Sequence, residues 1–130
     1  MVKRVILLVG LPGSGKTNLG NKLVEDIEDS VFFDEVLENI EEKTCIQNAC
    51  AQYKTVIISS PFLCVEQARE NVKKFFKSNN KSIKLEWKYF DYDVKTCIEN
   101  KPTLKKIIFE NVLVYTIPTR TKKHKVELYE

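Results

Sequence analysis

The stretch LLVGLPGSGKT, residues 7–17, runs from an apolar segment into a glycine-rich octet that ends in lysine and threonine. The octet, residues 10–17, fits the pattern G-x-x-x-x-G-K-[ST] at every fixed position. A short β-branched apolar run precedes it, and apolar residues at helical spacing follow it. A buried strand before and an amphipathic helix after indicate a loop that binds the phosphate groups of a nucleoside triphosphate.

Each residue type in the octet has a physical task. Glycines permit positive φ angles and let backbone N–H groups approach a phosphate with no Cβ in the way. Lys16, near the helix start, adds a positive charge for the β and γ oxygens, and the Thr17 hydroxyl can ligate the Mg²⁺ that bridges them. The residues expected to bind the triphosphate are Leu11, Pro12, Gly13, Ser14, Gly15, Lys16 and Thr17, with Thr17 as the metal ligand.

The remaining sequence alternates strand and helix patterns, beginning with a strand. This order predicts a three-layer α/β/α sandwich with a mainly parallel sheet in one domain, residues 1–130. Alternating apolar residues in the fourth strand indicate one wet face near a sheet edge. The expected strands cover residues 2–9, 30–34, 55–60, 83–89 and 126–129, and the expected helices cover 17–28, 35–53, 65–77, 94–100 and 104–115.

Composition places the chain among globular proteins. It has 130 residues, 43% hydrophobic and 30% charged, with a net charge of +3 that is too small to imply nucleic acid by itself. The longest apolar run, residues 5–9, falls far short of the roughly 20 residues that cross a bilayer. We therefore expect a cytoplasmic protein without a membrane partner. The spacing of the four cysteines contains no Cys-x-x-Cys pair, so we expect reduced thiols at Cys45, Cys50, Cys64 and Cys97.

The octet, the Phe-Phe-Asp segment at residues 32–34 and VIISSPFL at residues 56–63 together resemble the small P-loop kinases related to bacteriophage polynucleotide kinase. The resemblance covers about residues 3–118. It implies the P-loop NTPase fold, ATP with Mg²⁺, and transfer of the γ-phosphate to a hydroxyl or a nucleotide. It also implies a short lid at about residues 97–106.

In that family an Asp at the end of the second strand accepts the proton of the acceptor hydroxyl, and Asp34 occupies the matching place. The resemblance therefore makes Asp34 a catalytic candidate beside Lys16. A carboxylate there suits the chemistry, because it can orient and deprotonate a nucleophile next to the γ-phosphate. Two alternatives stay open: Asp34 as the N-cap of a helix that begins near Glu35, and Glu35 itself as the acid.

Three features depart from the family pattern. The third strand ends in Ser59-Ser60-Pro61 with no acid, so Mg²⁺ would rest on Thr17, water and Asp34. The segment after Asp34, residues 35–38, is acidic and apolar, which disfavours a polynucleotide acceptor. The lid region has lysines, among them Lys101, Lys105 and Lys106, where the family has arginines, and lysine lacks the bidentate fork.

Other candidates carry weaker signals. Arg69 lies on the helix after the third strand, and we expect this helix to keep it solvated. Arg120 lies in a basic tail, about residues 119–130. This tail is either solvated or a contact for an anionic partner. Residues 115–118 match the place where related kinases hold adenine. Trp87 and Tyr89 are expected in the core.

The main hypothesis is an ATP-dependent phosphotransferase acting on a nucleoside, a nucleotide, a nucleic-acid hydroxyl or another small acceptor. The rival is a nucleotide-binding protein with little or no turnover that acts through a partner. The absent third-strand acid, the absent lid arginines and the short chain favour the rival. Adenine is preferred over guanine because residues 79–82, Asn-Asn-Lys-Ser, lack the Asp of the guanine-selecting Asn-Lys-x-Asp pattern.

Overall fold

The computed structural model describes residues 1–91, 93–104, 116, 118 and 121–128. Strands and helices alternate along the chain, as the sequence predicts. The strands are β1 (Arg4–Val9), β2 (Ser30–Phe33), β3 (Thr55–Ser60), β4 (Lys84–Phe90) and β5 (Lys123–His124). The helices are α1 (Lys16–Asp26), α2 (Thr44–Gln52), α3 (Glu66–Asn79) and α4 (Val94–Asn100). Short 3-10 turns cover Ile40–Glu42, Pro61–Cys64 and Pro102–Leu104.

The strands form one parallel sheet in the order β2-β3-β1-β4-β5. β1 lies at the centre, with Arg4 opposite Thr55 on one side and Lys84 on the other. Because all the strands run the same way, their carboxyl ends meet at one edge of the sheet. In an open α/β sheet of this kind, ligands bind outside the carboxyl ends of the strands.

Side chains of the two central strands alternate between two apolar layers, one on each face of the sheet. Val5, Leu7 and Val9 of β1 belong to the cluster that includes residues of α2 and α3. Ile6 and Leu8 belong to the opposite cluster, against which residues of α1 pack. Burial on both faces explains why β1 and β3 read as continuous apolar runs. The prediction of a parallel sheet flanked by helices is confirmed.

Residues 35–53 do not form the single helix that the sequence predicts. α2 begins only at Thr44, and the backbone before it follows the end of β3. The Glu35 N–H donates to Ser59 Oγ at 2.8 Å, and the Val36 N–H donates to the Ser59 carbonyl at 2.9 Å. These contacts hold the segment beside β3, and the φ angle of +45° at Glu35 is not helical, so the helical pattern is overridden by tertiary pairing.

The last strand also differs from the prediction of residues 126–129. β5 is the pair Lys123–His124, opposite Tyr89 and Phe90 of β4. Val126 instead fills a cluster with Leu11, Phe90 and Cys97. Its apolar character comes from this packing rather than from a strand. The predicted helix 104–115 lies outside the described residues from residue 105 onward.

Arg69 is buried rather than solvated, with 7% of its surface exposed. Its guanidinium donates to the carbonyls of Leu63 at 2.9 Å and Thr116 at 2.7 Å, and it lies 5.9 Å from the Tyr89 ring centroid. A buried guanidinium needs such partners, because an unpaired charge in the interior is costly. Arg69 therefore joins α3, β4 and the segment at Thr116.

The other expectations about side chains have simple outcomes. Trp87 packs against the core and Tyr89 is buried in it, as predicted. All four cysteines are free thiols. Among the described residues, no helix is long and apolar enough to cross a membrane. Arg120, Lys105, Lys106, Tyr115 and Ile117 lie outside the described residues.

Candidate functional site

The glycine loop, residues 10–17, links the carboxyl end of β1 to the first turn of α1. Gly13 and Gly15 have φ angles of +85° and +104°, a region that side chains other than glycine rarely adopt. The Ser14 N–H donates to the Leu11 carbonyl at 3.1 Å and closes a turn. A Cβ on Gly13 would lie 2.6 Å from the carbonyl oxygen of Cys97. The conformation predicted for these glycines is therefore present, and packing against α4 adds a second requirement at Gly13.

Two polar side chains of the loop are buried. Ser14 and Lys16 each expose 2% of their surface. The Lys16 ammonium donates to the Gly10 carbonyl at 2.6 Å, back across the loop. The Ser14 hydroxyl makes no hydrogen bond to any described residue. Since buried polar atoms in native proteins nearly always have a partner, this hydroxyl makes the loop a candidate ligand site.

Glu35 is the ionic partner of Lys16. Its carboxylate lies 2.9 Å from the Lys16 ammonium nitrogen. Glu35 adopts a φ angle of +45°, which is uncommon for a residue with a long side chain. The sequence suggested Glu35 only as an alternative acid, and the structure places it on the lysine of the loop.

Asp34 lies beside Thr17 at the end of β2. The Thr17 hydroxyl is 2.9 Å and 3.0 Å from the two carboxylate oxygens of Asp34. The Ser59 hydroxyl donates to Asp34 Oδ1 at 3.1 Å. The N-cap alternative for Asp34 is wrong, because the next helix starts at Thr44 and has Lys43 as its N-cap. The structure thus brings Lys16, Thr17 and Asp34, the candidates of the sequence analysis, to the wall of one cavity.

The serines that end β3 hold the segment after β2. Ser59 contacts both Asp34 and the backbone of Glu35, and the Ser60 hydroxyl donates to the Val36 carbonyl at 2.6 Å. Both serines are fully buried. Sequence reasoning treated Ser59 and Ser60 only as the place of a missing acid. The signal in the sequence that could have predicted this contact with the segment after β2 is the pair of adjacent hydroxyls at the carboxyl end of a buried strand.

Asn100, which the sequence analysis did not single out, connects the loop to the carboxyl-terminal segment. Its amide donates to the Gly13 carbonyl at 2.9 Å and to the Glu127 carbonyl at 2.8 Å. It ends α4, whose N-cap Asp93 accepts from the Thr96 N–H at 3.1 Å. The hydrogen bonds from Thr96, first of all the one from its N–H, lower the pKa of the Asp93 carboxyl.

Cys97 sits beneath the loop and is fully buried. Burial, with a smaller contribution from Asp93, raises the pKa of its thiol to about 11, although Lys16 acts in the opposite direction. The thiol therefore stays protonated near neutral pH and is a poor nucleophile.

A cavity of about 720 Å³ opens over the loop, within the usual range of about 300–1,000 Å³ for ligand sites. Leu11 has its side chain in the core and is not among the lining residues. Cationic and anionic groups both line the cavity, whereas no arginine is found among its described lining residues. The lining residues are Pro12, Gly13, Ser14, Gly15, Lys16, Thr17, Asn18, Asp34, Glu35, Phe90, Lys101, Leu104, Lys125, Glu127 and Leu128.

The oxygen groups of Thr17 and Asp34 suit Mg²⁺, which prefers hard oxygen ligands. Within the described part of the chain, no group of three or more His, Cys, Asp or Glu side chains could hold a metal ion. A single carboxylate and a hydroxyl are nevertheless enough when substrate phosphates and water complete the coordination, as is usual for Mg²⁺.

Comparisons with known proteins support the fold. A solved structure titled "Crystal structure of APE1195" matches with a TM-score of 0.65 and 18% sequence identity, over 97% of this chain and 86% of that chain. No family model matches the chain, and no curated protein matches it significantly. At this identity the likeness shows a shared architecture, an α/β domain with a parallel sheet flanked by helices.

Proposed function

We propose that the protein is an ATP-dependent phosphotransferase of the P-loop type. One observation carries the proposal: the glycine loop places Lys16 and Thr17 at the start of α1, and Thr17 hydrogen-bonds Asp34 from the neighbouring part of the sheet. These groups line one cavity at the carboxyl ends of the strands. Ser14, whose hydroxyl has no hydrogen-bond partner among the described residues, lines the same cavity.

In this proposal the loop binds the phosphate groups of ATP. Backbone N–H groups around Gly13 and Gly15 converge on the β-phosphate, because positive φ angles turn successive amides toward one point. Ser14 supplies a further donor. Lys16 neutralises charge on the β and γ oxygens, and the positive end of the α1 dipole adds to it.

Thr17 and Asp34 would hold Mg²⁺ at the phosphates. Because the Thr17 hydroxyl donates its proton to Asp34, the oxygen lone pairs remain available for a metal. The bound ion would neutralise the charge of the phosphate oxygens.

Asp34 also orients the acceptor. Ser59 donates to its Oδ1, and Oδ2, which lies 3.0 Å from the Thr17 hydroxyl, keeps a lone pair that can accept the proton of an acceptor hydroxyl. In the transfer, the acceptor oxygen forms a bond to the γ-phosphorus, the bond between that phosphorus and the β–γ bridging oxygen breaks, and ADP leaves. The acceptor proton passes to Asp34. Lys16 and Lys101, both on the cavity wall, stabilise the charge of the transferred group.

A second candidate is a nucleotide-binding protein with little turnover that acts through a partner. The ion pair between Lys16 and Glu35 favours it, since the lysine needed at the γ-phosphate is already neutralised. So does the end of β3, where Ser59 and Ser60 replace the acid of the related kinases.

The two candidates separate in a transfer assay with γ-labelled ATP, Mg²⁺ and a panel of nucleosides, nucleotides and 5′-hydroxyl oligonucleotides. We expect Asp34→Asn to bind ATP and lose acceptor-dependent transfer by at least about 100-fold, the scale of general base catalysis. The matched control is Asp26→Asn, which removes a charge at the exposed end of α1. Binding without transfer to any acceptor supports the second candidate.

Lys16→Ala tests both candidates at once. Loss of a charge-assisted contact should weaken ATP binding by about 10- to 150-fold in calorimetry. Lys22→Ala, on the exposed side of α1, is the control and should leave the affinity unchanged. Unchanged affinity in Lys16→Ala would contradict a triphosphate site at this loop.

A further inference from the structure

We propose that Glu35 is a specificity-determining residue that competes with polyphosphate for Lys16. In the free protein its carboxylate occupies the ammonium group, and a ligand is selected by its ability to displace it. The inference rests on the proposed function, because it assumes that the ligand of the glycine loop is a nucleotide polyphosphate.

The contacts of Lys16 carry the first step. Its side chain is 1% exposed and its ammonium has three donor hydrogens. One is directed to the Gly10 carbonyl at 2.6 Å and another to the Glu35 carboxylate at 2.9 Å. The third hydrogen is left for a phosphate, which would then share the ammonium with a carboxylate of the same sign as itself, so Glu35 competes with the phosphate for the charge of Lys16.

The backbone of Glu35 carries the second step. Ser59 of β3 fixes it by accepting two hydrogen bonds: the Glu35 N–H donates to the Ser59 hydroxyl at 2.8 Å, and the Val36 N–H donates to the Ser59 carbonyl at 2.9 Å. Glu35 keeps its uncommon φ of +45° within this clamp, which directs the side chain into the cavity. The side chain itself remains 33% exposed. It can therefore rotate into solvent when displaced, without movement of the sheet.

The position of Lys16 decides which ligands are affected. The lysine of such a loop contacts the β and γ oxygens of a bound nucleotide. A ligand with two or three linked phosphoryl groups can bring those oxygens to Lys16 and displace Glu35. A nucleoside monophosphate has no such oxygens. Glu35 therefore weakens the binding of diphosphates and triphosphates and leaves monophosphates unaffected.

The test compares Glu35→Gln with the parent protein in calorimetric titrations with AMP, ADP and ATP in the presence of Mg²⁺. We expect ADP and ATP to bind about tenfold more tightly to the variant, the scale of one charge-assisted hydrogen bond, with AMP unchanged. Glu38→Gln is the matched control. It removes the same charge from the same segment, but its side chain is 71% exposed and contacts Lys43 at 3.4 Å.

The possible outcomes separate this inference from the proposed function. Equal ATP affinity of the parent and Glu35→Gln, or an equal gain in Glu38→Gln, overturns the role of Glu35 and leaves the nucleotide site intact. Absence of nucleotide binding in both proteins overturns the proposed function and this inference together. Binding only in Glu35→Gln supports both.

Two further measurements keep the test decisive. The Lys16 side-chain amine, once it has lost its proton to solvent, should be methylated faster by formaldehyde and borohydride in Glu35→Gln than in the parent, with Lys22 as the internal reference. An unchanged rate contradicts the competition. If Glu35→Gln does not fold, Glu35→Asp replaces it. Its carboxylate is one methylene shorter and should also release Lys16 and tighten ATP binding.

Discussion

The two ends of the parallel sheet differ in chemistry. At the carboxyl ends of the strands the buried groups include four polar residues, Ser14, Lys16, Ser59 and Ser60. At the amino ends a cavity of about 420 Å³ is lined mainly by apolar side chains, including Val2, Phe75, Phe76, Ile83 and Cys50. The contrast shows that the amino edge stabilises the domain, whereas the carboxyl edge keeps buried polar groups whose desolvation is costly.

The energetic reason lies in what each kind of burial contributes. Apolar burial stabilises a domain by roughly 25 cal/mol per Å² of surface removed from water. A buried ammonium such as Lys16 or a buried hydroxyl such as Ser14 opposes folding unless it finds a partner. We therefore expect substitutions at the amino edge to change stability alone, and substitutions at the carboxyl edge to change ligand binding as well.

The largest effect is expected for Phe76→Ala at the amino edge. Phe76 is 1% exposed and packs edge-on against Phe75 with ring centroids 5.0 Å apart. Loss of this ring should reduce the free energy of unfolding by about 3–5 kcal/mol, measured by urea denaturation. ATP affinity of the folded fraction should stay the same. A large change in that affinity would mean that the two edges are coupled and would remove the contrast.

An intermediate effect is expected for Gly13→Ala in the glycine loop. The positive φ angle and the approach of the new Cβ to the Cys97 carbonyl should destabilise the protein by about 1–3 kcal/mol. ATP binding should weaken in the same variant. Gly15→Ala is the matched control, since Gly15 also has a positive φ but a Cβ there meets only Phe90, at 3.6 Å. Equal destabilisation would show that backbone conformation alone, and not packing against α4, requires Gly13.

The smallest effect is expected for the Asp93 cap of α4. The pKa of this carboxyl is lowered by the hydrogen bond from Thr96, so the unfolded chain binds the proton more tightly than the folded one. The cap therefore stabilises the fold above the unfolded pKa of about 3.9 and is lost as pH falls through the lower folded value.

Asp93→Ala should lower the melting temperature slightly at pH 7, and the difference from the parent should shrink below about pH 4. Asp93→Asn retains a side-chain acceptor for the Thr96 N–H and should lie between the two proteins at pH 7. Melting curves across this pH range measure the effect. A difference that grows on acidification would contradict the assignment of the cap.

The strands and helices could be predicted where local patterns agree with the final packing. β1, β3 and α3 combine clear periodicity with clear stops, and each was predicted close to its observed bounds. The segment after Asp34 has a helical pattern, yet the hydroxyl and carbonyl of Ser59 take its backbone N–H groups. The apolar Val126 fills a cluster with Leu11 instead of forming a strand. In both places, partners distant in sequence outweighed the local preference.

By itself, the sequence determined the parallel α/β order, the glycine loop and the candidates Lys16 and Thr17, because residue type and spacing act over a few neighbours. The candidate Asp34 came from the resemblance to the P-loop kinases. Tertiary structure alone decided that Asp34 meets Thr17, that Glu35 holds Lys16, and that Arg69 is buried on the carbonyls of Leu63 and Thr116. These contacts depend on which strands lie side by side. The order of the strands in the sheet depends on the burial of both sheet faces, to which residues distant in sequence contribute.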